Sequence, residues 1–259
     1  MNFRIAPTYV ISSSGGNDSL ALIRWAHEED LRLFGRVIVT YNNTGWAAAH
    51  WPARVAAVGE VARSYGFEPL EIPSMGTEEL VRWKKGFPGT GKRQWCTMHL
   101  KGIPSLNWID EFDPDCKAIV LIGKRRAESV KRRDTQEFIE SSEYHGGRTV
   151  WHPLYLHSDE QRNDLIVPTG LPILPHRSEE CTPCVYSNRG DFLRLPADRQ
   201  AEVNRLEVQA GRPMFRPKRF NAVGIYGVMM WAKHGKNHKE EVDDEFEDAG
   251  CGSPFGCGL

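Results

Sequence analysis

Short β-prone runs alternate with helical patterns along the first half of the chain. Residues 36–41 (RVIVTY) and 116–122 (CKAIVLI) are rich in β-branched residues and show no polar alternation, which is typical of strands covered on both faces of a sheet. Residues 8–12 and 67–72 are two further strand candidates. An apolar helical stripe separates two of these runs, at Trp51, Val55, Val58, Ala62 and Tyr65. The alternation predicts an α/β fold, with a parallel sheet flanked by helices.

Charge and composition narrow the class of protein. Lys and Arg number 33 against 34 Asp and Glu, so overall charge gives no reason to expect nucleic acid or membrane as a partner. No apolar run approaches the roughly 20 residues of a membrane helix, and residues 1–14 lack the apolar core of a signal peptide. We therefore expect a cytoplasmic protein. In that compartment, its six cysteines favour metal-binding or catalytic roles over disulfides.

The chain changes character near residue 195. We predict a nucleotide-binding domain over residues 1–195 and a helical C-terminal extension with a cysteine-containing tail over 196–259. A helix is expected at 197–209, and residues 222–232 form an apolar segment. A basic turn between them carries Arg212, Arg216, Lys218 and Arg219, with Phe215 and Phe220. It is either a contact for a nucleic-acid acceptor or a plain solvated surface with two core aromatics.

The stretch SGGNDS (residues 14–19) lies between the first strand and a helix. Its glycines let the backbone approach an anion, and N–H groups at a helix start favour phosphate. The hydroxyls of Ser12, Ser14 and Ser19 add donors. Asp18 either helps to hold Mg²⁺ beside a triphosphate or caps the helix. The stretch therefore predicts a loop that binds a phosphate group.

SGGNDS matches the SGGxDS signature of the PP-loop superfamily, the adenine-nucleotide alpha-hydrolase-like proteins. Further blocks resemble one branch, the phosphoadenylyl-sulfate reductase-like family: YNNTGW (41–46), RQWCTMHLKGIP (93–104), GKRRAESVKR (123–132) and ECTPCV (180–185). They occur in the family's order and, with SGGNDS, cover most of residues 8–195. The resemblance implies a Rossmann-like sheet of the PP-loop (HUP) type that binds an adenine nucleotide.

The resemblance also implies a set of site residues. Asp18, Lys101, Arg125 and Cys257 would be catalytic. The nucleotide would be bound by Ser12, Ser14, Gly15, Gly16, Asn17, Asp18, Ser19, Thr44, Gly123, Arg125, Glu128 and Arg132. Arginines of the third block would clamp phosphate or sulfate in a bidentate way, whereas a solvated charged helix is the alternative. ATP with Mg²⁺ is the expected ligand.

The cysteines indicate a metal centre. Cys181 and Cys184 are separated by two residues, a spacing that lets both thiolates reach one metal. Cys251 and Cys257 form a wider pair, which completes four ligands for an iron–sulfur cluster, expected to be of the 4Fe–4S type, or for a structural zinc. Cys96 is a further candidate ligand.

Three other cysteine features qualify this expectation. Cluster-bearing adenylyl-sulfate reductases are similar around Cys96 but have adjacent cysteines there, where this chain has Trp95. The ending GCGL is similar to the reductases' Glu-Cys-Gly tail, so that Cys257 is either a nucleophile or a metal ligand. Cys116 opens an apolar run and is expected to be a buried structural thiol.

Three functions follow as hypotheses. The first is an enzyme that cleaves ATP between the alpha and beta phosphates, adenylates a substrate and supports sulfur transfer, with a sulfur or electron donor protein as partner. The second is a thiol-dependent reductase of phosphoadenylyl or adenylyl sulfate that releases sulfite. The third is a non-catalytic nucleotide-binding module with structural zinc. The intact SGGNDS favours the first, and the tail favours the second.

Overall fold

Six strands form one sheet in the order β3–β2–β1–β4–β6–β5 within the part of the chain that the structure describes. This computed structural model describes residues 7–90, 93–215 and 223–234. The strands are β1 (Thr8–Ser13), β2 (Arg36–Asn43), β3 (Glu68–Pro73), β4 (Ile119–Ile122), β5 (Phe138–Ser142) and β6 (Arg148–Trp151). All neighbours are parallel except β5, which pairs antiparallel with β6. The predicted α/β fold with a parallel sheet is confirmed.

Helices connect and cover these strands. They are α1 (Asn17–Glu28), α2 (Leu31–Phe34), α3 (Trp51–Ser64), α4 (Thr77–Lys84), α5 (Trp95–Thr97), α6 (Ile103–Phe112), α7 (Asp159–Ile166), α8 (Arg189–Leu193), α9 (Ala197–Ala210) and α10 (Gly224–His234). A π-helical turn, Met98–Gly102, joins α5 to α6. Helices α9 and α10 confirm the predicted helical C-terminal region.

Both faces of the sheet are buried. On one face, Ile11, Val39 and Leu121 pack with Leu20 of α1 and Ile166 of α7. On the other face, a second cluster is formed by strand residues and α6, namely Val10, Ile109, Val120 and Val150. Burying each such side chain contributes about 1.5–3 kcal/mol, which explains the uninterrupted apolar runs of β2 and β4.

The strand order reverses direction between β1 and β4. The chain runs outward from β1 to β2 and β3, and then crosses to β4 on the other side of β1. In open α/β sheets, the loops that leave the carboxyl ends of two such strands diverge and leave a crevice for a ligand. The loops after β1 and β4 therefore frame the candidate site.

The C-terminal helices pack onto the loop after β2. Trp46 of that loop shares an apolar cluster with Phe192, Leu206 and Val228. Phe215 belongs to the same cluster, is 8% exposed and packs edge-to-face on Phe192 with ring centroids 4.9 Å apart. Phe215 is therefore a core aromatic, whereas the basic residues at 216–219 lie outside the described residues. The boundary at residue 195 stays a prediction.

The expectation for Cys116 is wrong. Strand β4 begins at Ile119, and Cys116 is exposed, with φ 54° in a turn. The turn forms because the Asp113 carboxylate accepts hydrogen bonds from the backbone N–H groups of Lys117 and Ala118, at 3.1 and 2.9 Å. Aspartate stabilises such turns by bonding to nearby backbone donors, so the strand starts after it.

Candidate functional site

The loop after β1 leaves open backbone donors at the start of α1. Gly15 adopts φ +76°, a conformation that glycine reaches without strain, and its N–H donates to Ser13 Oγ at 3.2 Å. Helix α1 begins directly after Gly16, with no side-chain cap. The first N–H groups of a helix have no partner within it, and the helix dipole makes this end positive. The loop has the local geometry of an anion site.

Asp18 does not cap the helix. It is 3% exposed, and its Oδ1 accepts from Arg125 Nε at 2.5 Å and lies 3.6 Å from Arg162 Nη1. The capping interpretation of Asp18 is wrong, because Arg125 holds the carboxylate across the switch point between β1 and β4. Its role towards Mg²⁺ stays a prediction.

The loop after β4 is built from paired charges. Arg125 also donates to His157 O at 3.1 Å and to Asp159 Oδ1 at 2.9 Å. Glu128 accepts from the backbone N–H of Arg125 at 3.0 Å and from Arg132 Nη1. Burial, with a smaller contribution from the charge of Asp18, raises the pKa of Glu128 to about 7. Of the arginines predicted to clamp an anion, Arg125 and Arg132 are thus bound to carboxylates, whereas Arg126 donates to Thr135 O at 2.8 Å.

Gly123 lets this loop approach α1. A Cβ on Gly123 would lie 2.8 Å from Asp18 O and 3.0 Å from Asp18 C, closer than real Cβ contacts. The glycine therefore brings the end of β4 against the first turn of α1. Its predicted contact with the nucleotide remains a prediction, but its part in joining the two loops is direct.

Asn17 and Ser19 bind backbone groups. Asn17 Nδ2 donates to Leu174 O at 2.9 Å, and its Oδ1 accepts from Leu174 N at 3.0 Å. Ser19 Oγ donates to Gly16 O at 3.0 Å. These contacts fix the loop's shape. Ser12 lines a pocket between the sheet and α6, together with Thr40, Gly102 and Ser105.

Thr44 and Lys101 tie the loop after β2 to the segment around Cys181. Thr44 is fully buried, and its Oγ1 donates to Glu180 O at 3.0 Å. Lys101 Nζ forms an ion pair with Glu180 Oε2 at 2.7 Å, and both side chains are buried. Glu180, which the sequence reasoning did not nominate, therefore joins two predicted site residues.

Three of the predicted metal ligands lie in one region. Cys181 is half-buried, and burial raises the pKa of its thiol, with Lys101 opposing this and the charges of Cys184 and Cys96 raising the pKa further. Cys184 Sγ accepts a hydrogen bond from Tyr186 N at 3.5 Å. Within residues 7–90, 93–215 and 223–234, no group of three or more His, Cys, Asp or Glu is arranged to hold a metal ion. Cys251 and Cys257 lie outside the described residues.

The cysteine segment touches the phosphate loop. Ser178 Oγ donates to Ser14 O at 3.4 Å, and Ser178 Cβ lies 3.2 Å from the place where a Cβ on Gly16 would stand. Cys181 follows Ser178 by three residues, which span at most about 11 Å when extended. The thiols and the anion loop therefore belong to one site.

Two cations of the site were missed from the sequence. Arg162 approaches Asp18 from α7, and Arg54 of α3 donates from Nε to Gly15 O at 3.2 Å. Neither is near SGGNDS in sequence, and neither occurs in a recognisable motif. The helical spacing of Asp159 and Arg162, three residues apart, was the available signal for the first.

The model of the phosphoadenosine phosphosulfate reductase domain matches residues 8–188. The chain belongs to this family. The match spans β1 to the segment after Cys184 and so includes both loops and the three thiols. The resemblance read from the five motifs is confirmed, as is the PP-loop type of fold.

Solved structures that match the chain include three proteins of low sequence identity. A phosphoadenylyl-sulfate reductase from Candida auris, in a phosphate complex, is 16% identical, with a TM-score of 0.44 over 64% of this chain and 75% of that one. The U34-tRNA thiolase NcsA from Methanococcus maripaludis, with its 4Fe–4S cluster, is 14% identical, with a TM-score of 0.48 over 96% and 80%. NAD⁺ synthetase from Burkholderia pseudomallei is 17% identical, with a TM-score of 0.40 over 64% and 61%. No curated protein matches the chain.

Among the described residues, none of the helices combines the length and the apolar composition needed to cross a bilayer.

Proposed function

We propose that this chain binds ATP with Mg²⁺ on residues 12–19, adenylates an acceptor and supports sulfur transfer. The observation that carries the proposal is the contact between the anion loop and the cysteine segment, through Ser178 on Ser14. A nucleotide held by the loop would have thiols beside it. That combination suits chemistry in which an activated oxygen is replaced by sulfur.

The nucleotide half of the reaction uses the phosphate loop. An acceptor oxygen would attack the alpha phosphorus, the bond to the bridging oxygen of the beta phosphate would break, and pyrophosphate would leave with the electron pair. A sulfur nucleophile from a donor would then displace AMP. The uncapped start of α1 suits the leaving pyrophosphate. Both ion pairs of Asp18 use Oδ1, and the proposal assigns Oδ2 to Mg²⁺.

The thiols fit a metal centre in donor type. Cys96, Cys181 and Cys184 would be ligands, with Cys251 and Cys257 as candidates for the remaining position. The N–H group that donates to Cys184 Sγ is the kind of contact that tunes cluster thiolates. The chemistry that an iron–sulfur group would supply is to hold or activate the incoming sulfur. Structural zinc is the alternative occupant.

The partners follow from the same proposal. An adenine nucleotide is the first, and a sulfur or electron donor protein is the second. A nucleic acid is the third candidate. The proposed reaction needs an acceptor, and the basic residues at 212–219 could contact the phosphates of a nucleic acid. Thiolates in this role require a reducing compartment such as the cytoplasm.

A second candidate is reduction of phosphoadenylyl or adenylyl sulfate. The family to which the chain belongs favours it, as does the ending GCGL. In that reaction, the Cys257 thiolate would attack the sulfur of the sulfated nucleotide, the bond from that sulfur to the phosphate oxygen would break, and the nucleotide would leave with the electron pair. A second thiolate would then attack the Cys257 sulfur, which forms a disulfide and releases sulfite. Both candidates use the same loop, so the ligand separates them.

The deciding experiment is calorimetric titration of protein purified without oxygen, with ATP plus Mg²⁺ in one arm and phosphoadenylyl sulfate in the other. We expect preference for ATP, together with pyrophosphate release when an acceptor is present. Preference for the sulfated nucleotide with sulfite release would replace the proposal with the reductase. Bound zinc with neither product would indicate a non-catalytic nucleotide-binding module.

The metal assignment has its own test. The double variant Cys181→Ser, Cys184→Ser should lose essentially all iron, measured by elemental analysis and by the visible absorbance of protein purified without oxygen. Cys116→Ser is the matched control, because Cys116 is exposed and lies on a turn away from the other thiols. Iron retained by the double variant would place the ligands elsewhere.

A further inference from the structure

Arg54 lies against the phosphate loop. It is in the first turn of α3, and its Nε donates to the carbonyl oxygen of Gly15 at 3.2 Å. Gly15 is the residue with φ +76° that turns the chain into α1. The contact places the guanidinium beside the Gly15 peptide, two residues before the first residue of α1.

The charge of Arg54 has no counter-ion among the residues that the structure describes. Its Nη1 and Nη2 are buried and have no hydrogen-bond partner. Burial alone lowers its pKa, with no carboxylate contributing. Burying a cation without a partner is costly, and a guanidinium carries five donors to satisfy. Such a group indicates a missing anion.

Three other cations around the two loops are each paired with a carboxylate. Arg125 is paired with Asp18, Arg132 with Glu128, and Lys101 with Glu180. The opposite charges of such a pair largely cancel, so the pair attracts an incoming anion little. Within the described part of the chain, Arg54 has neither an ion pair nor a carboxylate hydrogen bond and so differs from these three.

The start of α1 supplies a second, independent source of positive potential. The helix has 12 residues and no side-chain cap, and its nearest carboxylate, Asp18, is held by Arg125. The first N–H groups of α1 follow the short loop at Gly15, and Arg54 of α3 lies beside that loop. Together they favour a tetrahedral oxyanion with two or more negative charges.

We propose that Arg54 supplies the uncompensated charge that holds the terminal phosphates of the nucleotide on the loop. Because both Nη atoms are covered by protein, Arg54 acts as a fixed charge and through its hydrogen bond to Gly15 O, and is therefore a positioning residue. This inference rests on the proposed nucleotide site. It adds a specificity determinant on α3, outside the five sequence motifs.

The test is titration calorimetry with inorganic pyrophosphate, ATP plus Mg²⁺, and adenosine, on the full chain and three variants. Arg54→Gln removes the charge, and Arg54→Lys keeps it. Arg63→Gln is the matched control, because Arg63 lies on the same helix in an exposed pair with Glu60. Circular dichroism and thermal unfolding check that each variant is folded.

Arg54→Gln should weaken pyrophosphate and ATP about tenfold or more, as expected for one nearby charge. Adenosine binding should stay unchanged, Arg54→Lys should bind pyrophosphate within about threefold of the parent chain, and Arg63→Gln should match the parent. The inference is overturned if Arg54→Gln binds pyrophosphate normally, if adenosine weakens equally, or if Arg54→Lys fails as badly as Arg54→Gln.

The outcome separates this inference from the proposed function. A parent chain that binds pyrophosphate through Arg54 but prefers phosphoadenylyl sulfate to ATP would refute adenylation and support the role of Arg54. A folded parent chain that does not bind pyrophosphate would refute the role of Arg54.

Discussion

The loops after β1 and β4 face each other across the switch point of the sheet, but their charges are arranged in opposite ways. The β4 loop contains Arg125 and Arg132, and a carboxylate binds each of them. The β1 loop contains the carboxylate Asp18, yet its helix start is uncapped, and Arg54 beside it has no counter-ion among the described residues. We therefore expect the β1 loop to attract an anion more strongly than the β4 loop, although the β4 loop has more arginines.

The difference shows that anion sites follow uncompensated charge rather than the number of cations. The opposite charges of a buried ion pair largely cancel for a third group outside the pair. The cost of removing both charges from water also offsets much of the attraction between them. The value of such a pair here is positional, since Arg125 joins α1, the β4 loop and α7 through Asp18 and Asp159. The β4 loop thus joins the elements around the candidate site, while the β1 loop is the part that we propose binds the anion.

The largest effect is expected from Asp18→Asn. Removing the carboxylate leaves Arg125 buried with only Asp159 as a charged partner, and should lower the free energy of unfolding by about 3 kcal/mol. Urea unfolding measures this. Asp115→Asn breaks an exposed pair with Lys117, which solvent screens, and should cost far less than Asp18→Asn. Equal losses in both variants would break the comparison, because the loops would not depend on the buried pair.

A smaller effect is expected from Gly123→Ala. The new Cβ would meet Asp18 O at 2.8 Å, so the two loops must separate, at a cost of about 1–3 kcal/mol. Weaker ATP binding should accompany the loss. Gly59→Ala is the control. Gly59 lies within helix α3, and a Cβ there would meet no atom nearer than 3.7 Å, so this variant should stabilise the chain by about 0.5–1 kcal/mol. A Gly123→Ala chain as stable as its parent would mean that close loop contact is unnecessary.

The third expected effect is a pH dependence from Glu128. Its pKa is raised from 4.5 to about 7, so the folded chain binds more protons than the unfolded one between these values. Its contribution to stability is therefore full below about pH 4.5 and is lost as the pH rises to about 7, by roughly 1 kcal/mol per unit. Unfolding curves across this window should show the slope in the parent and not in Glu128→Gln.

Glu68 serves as a control, because its contribution to stability changes with pH in the opposite direction. The hydrogen bond from Arg36 lowers its pKa, so its contribution is present above its usual pKa and is lost as the pH falls. Glu68→Gln should leave the slope near neutral pH intact. If Glu128→Gln also keeps the change of stability between about pH 4.5 and 7, that change does not come from Glu128. The expected burial of the charges in the β4 loop would then be wrong.

Local patterns predicted the elements that need only neighbours in sequence. The apolar runs of β1 and β2, the stripe of α3 and the helix at α9 were found within a few residues of their observed ends. Helices α4 and α6 and strands β5 and β6 were not assigned, because their sequences are short or half-exposed and have no clear period. Cys116 was misplaced because an Asp113 turn, rather than hydrophobicity, sets the start of β4.

The amino-acid sequence by itself determined the α/β class and the family, because these depend on local periodicity and on ordered motifs. It also predicted the phosphate loop. Tertiary structure alone decided which charges are compensated. Asp18 and Arg125 are 107 residues apart, and Lys101 and Glu180 are 79 apart, so no local pattern pairs them. The same holds for Arg54, whose unmatched charge is a property of its surroundings rather than of its type.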